Sequence, residues 1–337
     1  MAARTEEPLR LGILGAARIA PSAIVAPAHA TGARLVAVAA RDTERAKAFA
    51  GEHGVERVLS SYEELVADPE VEAVYNPLPN GLHAPWNLRS VRAGKHVLTE
   101  KPSASNATEA AAVRDAVDVA GVVFLEGFHY LFHPLMRRVF ELLGDGAIGQ
   151  LRHVEVSLSM APPPPGDPRW SLALAGGAMM DLGCYSLHAA RMLGRFAGGE
   201  PRLVGARGGD RDGTGVDEWL DVDLEYPSGV TASARCSMLD SDYRFRLTVL
   251  GSAGRIETPT LLGPTGDRAL IVATRTGSFA ESFGPTSTYT YQLAAFAARV
   301  RGGAPLPIGA DDAVVQMALV DAAFGAAGLP VRPVTAL

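Results

Sequence analysis

Four groups of residues in this 337-residue chain have types and spacings suited to chemistry. The first is Gly15-Ala16-Ala17-Arg18-Ile19-Ala20, directly after the apolar run Leu11–Leu14, which meets the pattern G-x-G-x-x-G/A at Gly15, Ala17 and Ala20. In that pattern the first position makes a tight turn. The second lets backbone approach a pyrophosphate, and the third lets a helix pack closely on a strand. Backbone N–H groups at the helix start then hold the phosphates. Ala17 departs from the second glycine, and taken alone the segment fits an ordinary strand–turn–helix equally well.

The second group follows the run Val36–Ala40. A site that prefers NAD carries an acid at the end of this strand to grip the ribose 2′-OH. Here the position is Ala40, followed by Arg41 and Asp42. Asp42 reads as a helix N-cap, which leaves Arg41 to pair with a 2′-phosphate or stack on adenine. Arg45, one helical turn on, adds charge. The pair points to NADP(H). The competing reading of Arg41 is a solvated surface arginine.

The third group is Glu100-Lys101-Pro102, after the run His96–Leu98. In an open α/β sheet ligands collect at the carboxyl ends of strands, so Lys101 stands where a reacting group would be presented. On these residues alone a loop lysine snorkelling into water is the stronger reading. The fourth group is Asp181 and Tyr185, four apart after the turn Gly176-Gly177. On a helix that spacing shares one face. His188 extends it, either binding a substrate hydroxyl or simply packing. Arg169 and Trp170 precede the turn. His129 and His133 are also four apart, but no third ligand has metal-type spacing and no metal is expected.

The elements that must position these groups fall into two styles. From Leu9 to about Gly127, short apolar runs (Leu11–Leu14, Leu35–Ala40, Ala73–Tyr75, His96–Leu98, Val122–Leu125) alternate with helix-compatible stretches. This pattern predicts βαβ units around a parallel sheet. Later, Val154, Val156 and Leu158 alternate with His153, Glu155 and Ser157, and Leu220, Val222 and Leu224 with Asp221, Asp223 and Glu225. Further strands are predicted at Val230–Met238, Phe245–Leu250 and Arg255–Glu257, half-buried and antiparallel. Leu293, Phe296, Ala297 and Val300 form a helical stripe stopped by Gly302-Gly303-Ala304-Pro305. We expect an α/β dinucleotide-binding domain over residues 1–126 and an α+β domain with an open-faced, mostly antiparallel sheet over 127–337. Pro162–Pro165 is a stiff loop inside the second.

Composition sets the outer limits. Hydrophobic residues make up 47% and charged residues 20%, a globular balance too long for one ordinary core. A net charge of −6 gives no reason to expect nucleic acid. Two cysteines without metal or disulfide spacing, an acidic start and no bilayer-length apolar run predict a soluble cytoplasmic protein with no membrane partner.

Three segments make the pattern specific: Tyr75-Asn76-Pro77-Leu78-Pro79-Asn80-Gly81-Leu82-His83, Ala93-Gly94-Lys95-His96-Val97-Leu98-Thr99-Glu100-Lys101-Pro102 and Gly176-Gly177-Ala178-Met179-Met180-Asp181-Leu182-Gly183-Cys184-Tyr185. Together they resemble the glucose–fructose oxidoreductase/inositol dehydrogenase (Gfo/Idh/MocA) family over nearly the whole chain. The wording of the first and third is nearest the branch of trans-1,2-dihydrodiol and NADP-dependent D-xylose dehydrogenases. Glu126–Pro134 also fits, with Leu131 where relatives often have arginine. The resemblance implies an NADP(H)-dependent oxidoreductase acting on a sugar or cyclic vicinal diol. A ketoreductase of anhydro- or nucleotide-linked keto-sugars is one alternative, and a silent NADP-binding sensor another.

The resemblance also implies roles. Lys101 lies near the nicotinamide and the substrate oxygen, on a turn whose Pro102 bond is expected to be rigid and cis. Pro77, Leu78, Asn80, His83, Glu100, Arg169 and Trp170 join the Gly15–Ile19 turn, Arg41 and Arg45 around the cofactor. Tyr185 replaces the histidine many relatives use as acid/base. A phenol ionises near pH ~10, and a neighbouring Lys⁺ lowers that value enough for proton transfer. Lys101 also stabilises oxyanion charge, and Asp181 orients substrate hydroxyls or Lys101. The open sheet face implies a homodimer or higher homo-oligomer.

Overall fold

The computed structural model describes residues 7–261 and 269–335. Residues 1–6, part of the stretch on which the expectation of no signal segment rests, lie outside them. The chain divides into two compact units, each described by itself. The first comprises the described parts of Met1–His129, Ser287–Val314 and Thr335–Leu337. The second comprises those of Tyr130–Thr286 and Val315–Val334.

The first unit is built on six parallel strands: β1 (Arg10–Leu14), β2 (Arg34–Ala39), β3 (Val58–Leu59), β4 (Ala73–Asn76), β5 (His96–Thr99) and β6 (Phe124–Glu126). Their order is β3-β2-β1-β4-β5-β6, the doubly wound arrangement whose direction reverses between β1 and β4. All of β4, and β1 and β2 beyond their first residues, are buried, because helices cover both faces of a parallel sheet. Those helices are α1 (Ala26–Thr31), α2 (Thr43–His53), α3 (Tyr62–Ala67), α4 (His83–Arg92) and α5 (Ala107–Ala120). Three start on side-chain caps, of which Asp42 is the one expected from sequence. Asp42 accepts from the Glu44 and Arg45 N–H groups, Ser61 from Glu64 and Asn106 from Glu109.

The second unit carries α6 (Pro134–Gly144), β7 (Leu151–Ser159), α7 (Cys184–Met192) and seven more strands. These are β8 (Arg202–Asp210), β9 (Asp217–Glu225), β10 (Thr231–Ser237), β11 (Arg244–Gly251), β12 (Gly254–Thr258), β13 (Ala269–Thr274) and β14 (Gly277–Ser282). The sheet order is β14-β13-β12-β11-β7-β10-β9-β8. Neighbours are antiparallel except β7 and β10, which run parallel. Val154, Val156 and Leu158 face inward together with Ala232, Ala234 and Cys236, beneath α7. Glu155, Ser157, Asp221, Asp223 and Arg235 occupy the other face. There a groove of about 400 Å³ opens beside Ser157, Trp219, Asp221, Arg235 and Arg244. The expected Leu293–Val300 stripe lies in α8 (Thr288–Gly302), capped by Gly303 and packed on α1. The chain then forms α9 (Ala310–Ala326). Among the described residues no helix is long and apolar enough to cross a membrane.

Candidate active site

In the first unit the carboxyl ends of β1, β2, β4 and β5 bring most of the expected cofactor residues together. Gly15 turns the chain at φ +86°, its N–H bonded to the Ala39 carbonyl at 2.6 Å. A Cβ there would press on Leu78 Cδ2 at 3.1 Å, so the turn needs glycine and keeps its backbone bare at the point where the strand order reverses. Ala16 is buried, Arg18 and Ile19 are exposed, and Ala20 packs inside with no exposure. This cradle suits a pyrophosphate. The Ala17 methyl is half-buried and leaves the turn intact.

Arg41 is exposed, and its guanidinium makes no ion pair among the described residues. Arg45 is used differently: Nη2 donates to the Ala16 carbonyl at 2.6 Å, tying α2 to the glycine turn. Asp42 Oδ1 caps α2, accepting from the Glu44 and Arg45 N–H groups.

Behind the turn lies a buried polar brace. Pro77 and Leu78 follow β4, and Asn80 opens a single 3-10 turn. Asn76 donates to the His83 carbonyl and to Asn87 Oδ1, and Asn87 donates on to the Ser103 carbonyl. The His83 ring stands between two carbonyls, Nε2 at 2.6 Å from Leu78 O and Nδ1 at 2.7 Å from Pro102 O. Burial pulls its pKa down to about 4, against the two carbonyl contacts that favour the charged form. Glu100 accepts from the Tyr75 hydroxyl at 2.8 Å, and the buried Tyr75 phenol is pushed well up by desolvation. Lys101 follows, half-buried, and its bond to Pro102 is cis. Tyr75, Asn76 and Asn87 were not among the expected site residues. Tyr75 and Asn76 stood in a family-like motif without a role, and the only signal of Asn87 was a polar type on a helix face.

In the second unit the Gly176-Gly177 turn launches the helix that carries Asp181 and Tyr185. Met179–Gly183 is a π-turn, with the Cys184 N–H reaching Met179 O, five residues back. Such turns recur at functional sites. The Asp181 carboxylate receives Arg169 Nε at 2.6 Å, and Arg169 also contacts Asp167 at 3.3 Å. Asp181 first, then Asp167, hold the Arg169 pKa above its ordinary value despite burial. Trp170 donates to the Pro163 carbonyl and lies under Arg211. Tyr185 is 4% exposed, its ring edge-on to Tyr130 at 6.2 Å. His188 is buried, with Nδ1 2.7 Å from the Tyr130 hydroxyl.

The launch is fixed from beneath by residues that sequence reasoning missed. Arg332 is fully enclosed: Nε donates to Gly176 O at 2.7 Å, Nη1 to Gly215 O and Pro330 O, and Nη2 to Asp217. Asp217 in turn accepts the Met179 N–H at 2.6 Å. Among the described residues no His, Cys, Asp and Glu cluster is arranged to hold a metal.

Residues 9–128 match the model of the oxidoreductase family with an NAD-binding Rossmann fold, and residues 136–257 match the GFO/IDH/MocA C-terminal domain. The chain belongs to the Gfo/Idh/MocA oxidoreductase family. Among its Gfo/Idh/MocA relatives, a D-xylose 1-dehydrogenase (NADP(+)) of Haloferax volcanii is 37% identical over 95% of this chain and 97% of its own. The trans-1,2-dihydrobenzene-1,2-diol dehydrogenase of Mus musculus is 36% identical over 76% of each chain. A 3-ketoreductase from Actinomadura kijaniata, crystallised with NADP and TDP-benzene, superposes with a TM-score of 0.87 at 30% identity, over 95% of this chain and 98% of that one.

Proposed function

We propose that this member of the Gfo/Idh/MocA family is an NADP(H)-dependent oxidoreductase that interconverts a secondary alcohol and a carbonyl on a neutral sugar or cyclic vicinal diol. The 37% identity to an NADP⁺-dependent xylose dehydrogenase along nearly its whole length supports the class. The exposed Arg41, at a strand end with no acid to receive a ribose hydroxyl, supports the phosphorylated cofactor. When bound, NADP(H) supplies or accepts the hydride. The rest falls to the protein.

In this reading residues 1–126, completed by Ser287–Val314, hold the cofactor, and the rest of 127–337 recognises substrate and carries the oligomer face. The Gly15–Ile19 turn takes the pyrophosphate, Arg41 and Arg45 serve the adenosine end, and Pro77, Leu78, Asn80, His83 and Glu100 shape the nicotinamide end. Lys101 places positive charge against the substrate oxygen. On oxidation the hydroxyl proton passes to Tyr185 Oη, and on reduction it returns from there. Asp181 orients neighbouring hydroxyls, with Arg169 and Trp170 beside it. The protein works in the cytoplasm as a homodimer or higher homo-oligomer joined through the open sheet face.

The observation that supports this substrate class is Arg169. Its charge is answered by both Asp181 and Asp167. Arg169 is thus already engaged by carboxylates rather than held ready for a diphosphate, which favours a neutral, hydroxyl-bearing substrate. The likeness to a ketoreductase crystallised with TDP-benzene keeps the nucleotide-sugar alternative open to trial.

The test measures initial rates at 340 nm with NADP⁺ and a panel of pentoses, hexoses and cyclic diols, and with NADPH and dTDP-keto-sugars. Turnover of a free sugar or diol, abolished in Lys101→Met and reduced roughly 10²–10⁴-fold in Tyr185→Phe, is expected. Turnover confined to the nucleotide-linked compounds would reverse the substrate assignment. NADPH binding without turnover of any compound, unchanged in both variants, would leave a sensor.

A further inference from the structure

Tyr62, the first residue of α3, belongs to none of the motifs above. Its ring packs edge-on against Trp86 at 5.0 Å and joins the apolar cluster of Leu14, Leu65, Val74 and Leu78. That packing aims the hydroxyl at the glycine turn. A Cβ built on Gly15 would lie 3.6 Å from Tyr62 Oη. The Arg41 backbone N–H and the side chains of Arg41 and Arg45 stand close enough to act on the same oxygen electrostatically. The phenol O–H has no acceptor among the described residues. A half-buried donor without an acceptor, between a glycine turn and two arginines, awaits an anion.

We propose that Tyr62 is a specificity residue that donates its hydroxyl proton to the cofactor's 2′-phosphate, alongside the Arg41 guanidinium. Three observations place it there. Arg41 lies just past the end of β2, where the ribose of a dinucleotide is gripped. Arg45 is already spent on Ala16 O, so the fork of Arg41 needs a second donor for the remaining phosphate oxygens. Tyr62 Oη is held beside the Gly15 turn by the packing of its ring on Trp86 and the core cluster, which makes it pre-organised. Burial pushes the phenol up and the two arginines only partly offset this, so the group is a donor at neutral pH. The proposal rests on the NADP(H) reading of the site.

The experiment is a fluorescence titration of the full-length chain and of Tyr62→Phe, which keeps the ring packed on Trp86, with NADPH, NADH and adenosine 2′,5′-bisphosphate at one fixed salt concentration. A hydrogen bond to a charged group is worth about tenfold in affinity. NADPH and the bisphosphate should each weaken by about that factor, with NADH unchanged. Equal weakening of NADPH and NADH would assign the hydroxyl to the pyrophosphate or the turn, and no change with any ligand would assign it to packing; either overturns the proposal. Arg41→Ala, run in parallel, separates the two levels. Selective loss of NADPH in Arg41→Ala but not in Tyr62→Phe leaves the cofactor reading standing and removes Tyr62 from it. No NADPH preference in the unaltered chain sinks both.

Discussion

The Arg332 guanidinium and the Asp217 carboxylate form an ion pair with no solvent exposure, although 115 positions separate them in the chain. Burial pushes the Asp217 carboxyl up and Arg332 draws it back, while burial lowers Arg332 against the pull of Asp217. Each charge is tolerable only because the other is present. Removing one leaves an uncompensated buried ion, at a cost of roughly 3–5 kcal/mol. Arg332→Met and Asp217→Asn should each lower the unfolding free energy read from urea denaturation by an amount of that order. A double variant should lose much less than the sum, and additive losses would show that the pair is not coupled.

Gly177 sits against that pair. Its φ of +119° is closed to other residues, and a Cβ would collide with Asp217 Oδ1 and Arg332 Nη2. Gly177→Ala should therefore cost more than about 3 kcal/mol, combining backbone strain with displacement of the ion pair. Gly51, inside α2 with open space around it, is the contrast. Alanine there should stabilise by about 0.5–1 kcal/mol. Thermal denaturation of both variants checks the opposite signs.

His83 makes stability depend on acid. Its folded pKa, about 4, lies below the ordinary 6.5, so between those values the unfolded chain binds the extra proton and the folded one does not. Stability is complete above pH 6.5 and falls as pH drops toward 4, by about 3 kcal/mol over the interval. His96, also lowered by burial, adds in the same direction. His83→Gln should show a shallower slope across this window, measured as urea midpoint against pH. An unchanged slope would mean that His83 stays charged between its two carbonyls.

Arg41 and Arg45 should part company in binding. Arg45 holds Ala16 O, in the turn common to both nicotinamide cofactors, so Arg45→Met should weaken NADPH and NADH alike, by roughly three- to tenfold. Arg41→Ala should weaken NADPH alone, by tenfold or more. Calorimetric titration of each variant with each cofactor reads the difference.

What the sequence showed followed from local physics. Strands buried on both faces announce themselves as apolar runs, which is why Leu11–Leu14, Leu35–Ala40 and Ala73–Tyr75 stood out. Asp42 was legible as a cap because capping is a three-residue event. The polar–apolar alternation of β7 and β9 was legible for the same reason. By contrast β8, interrupted by Gly205, Gly208 and Gly209, has no clean alternation, and β3 is two residues long. Arg332 and Asp217 were invisible because their meaning lies in a contact across 115 positions. Tyr62 looked like any residue after a serine cap. Only its approach to Gly15, from another βα unit, gives its hydroxyl a task. Arg45 read as free charge, and its bond to Ala16 O could not be read from spacing.

The return of Ser287–Val314 to the first unit constrains how the protein can be made. Tyr289, Leu293 and Phe296 of that stretch are buried, α8 packs on α1, and Arg301 pairs with Glu72 and reaches the Glu7 and Pro8 carbonyls. A ribosome delivers residues in order, and most domains fold as they emerge. Here the unit begun first stays incomplete, with the α1 surface uncovered, at least until Val314 has left the exit tunnel. A transcript cut anywhere between His129 and Val314 cannot yield a finished nucleotide-binding half.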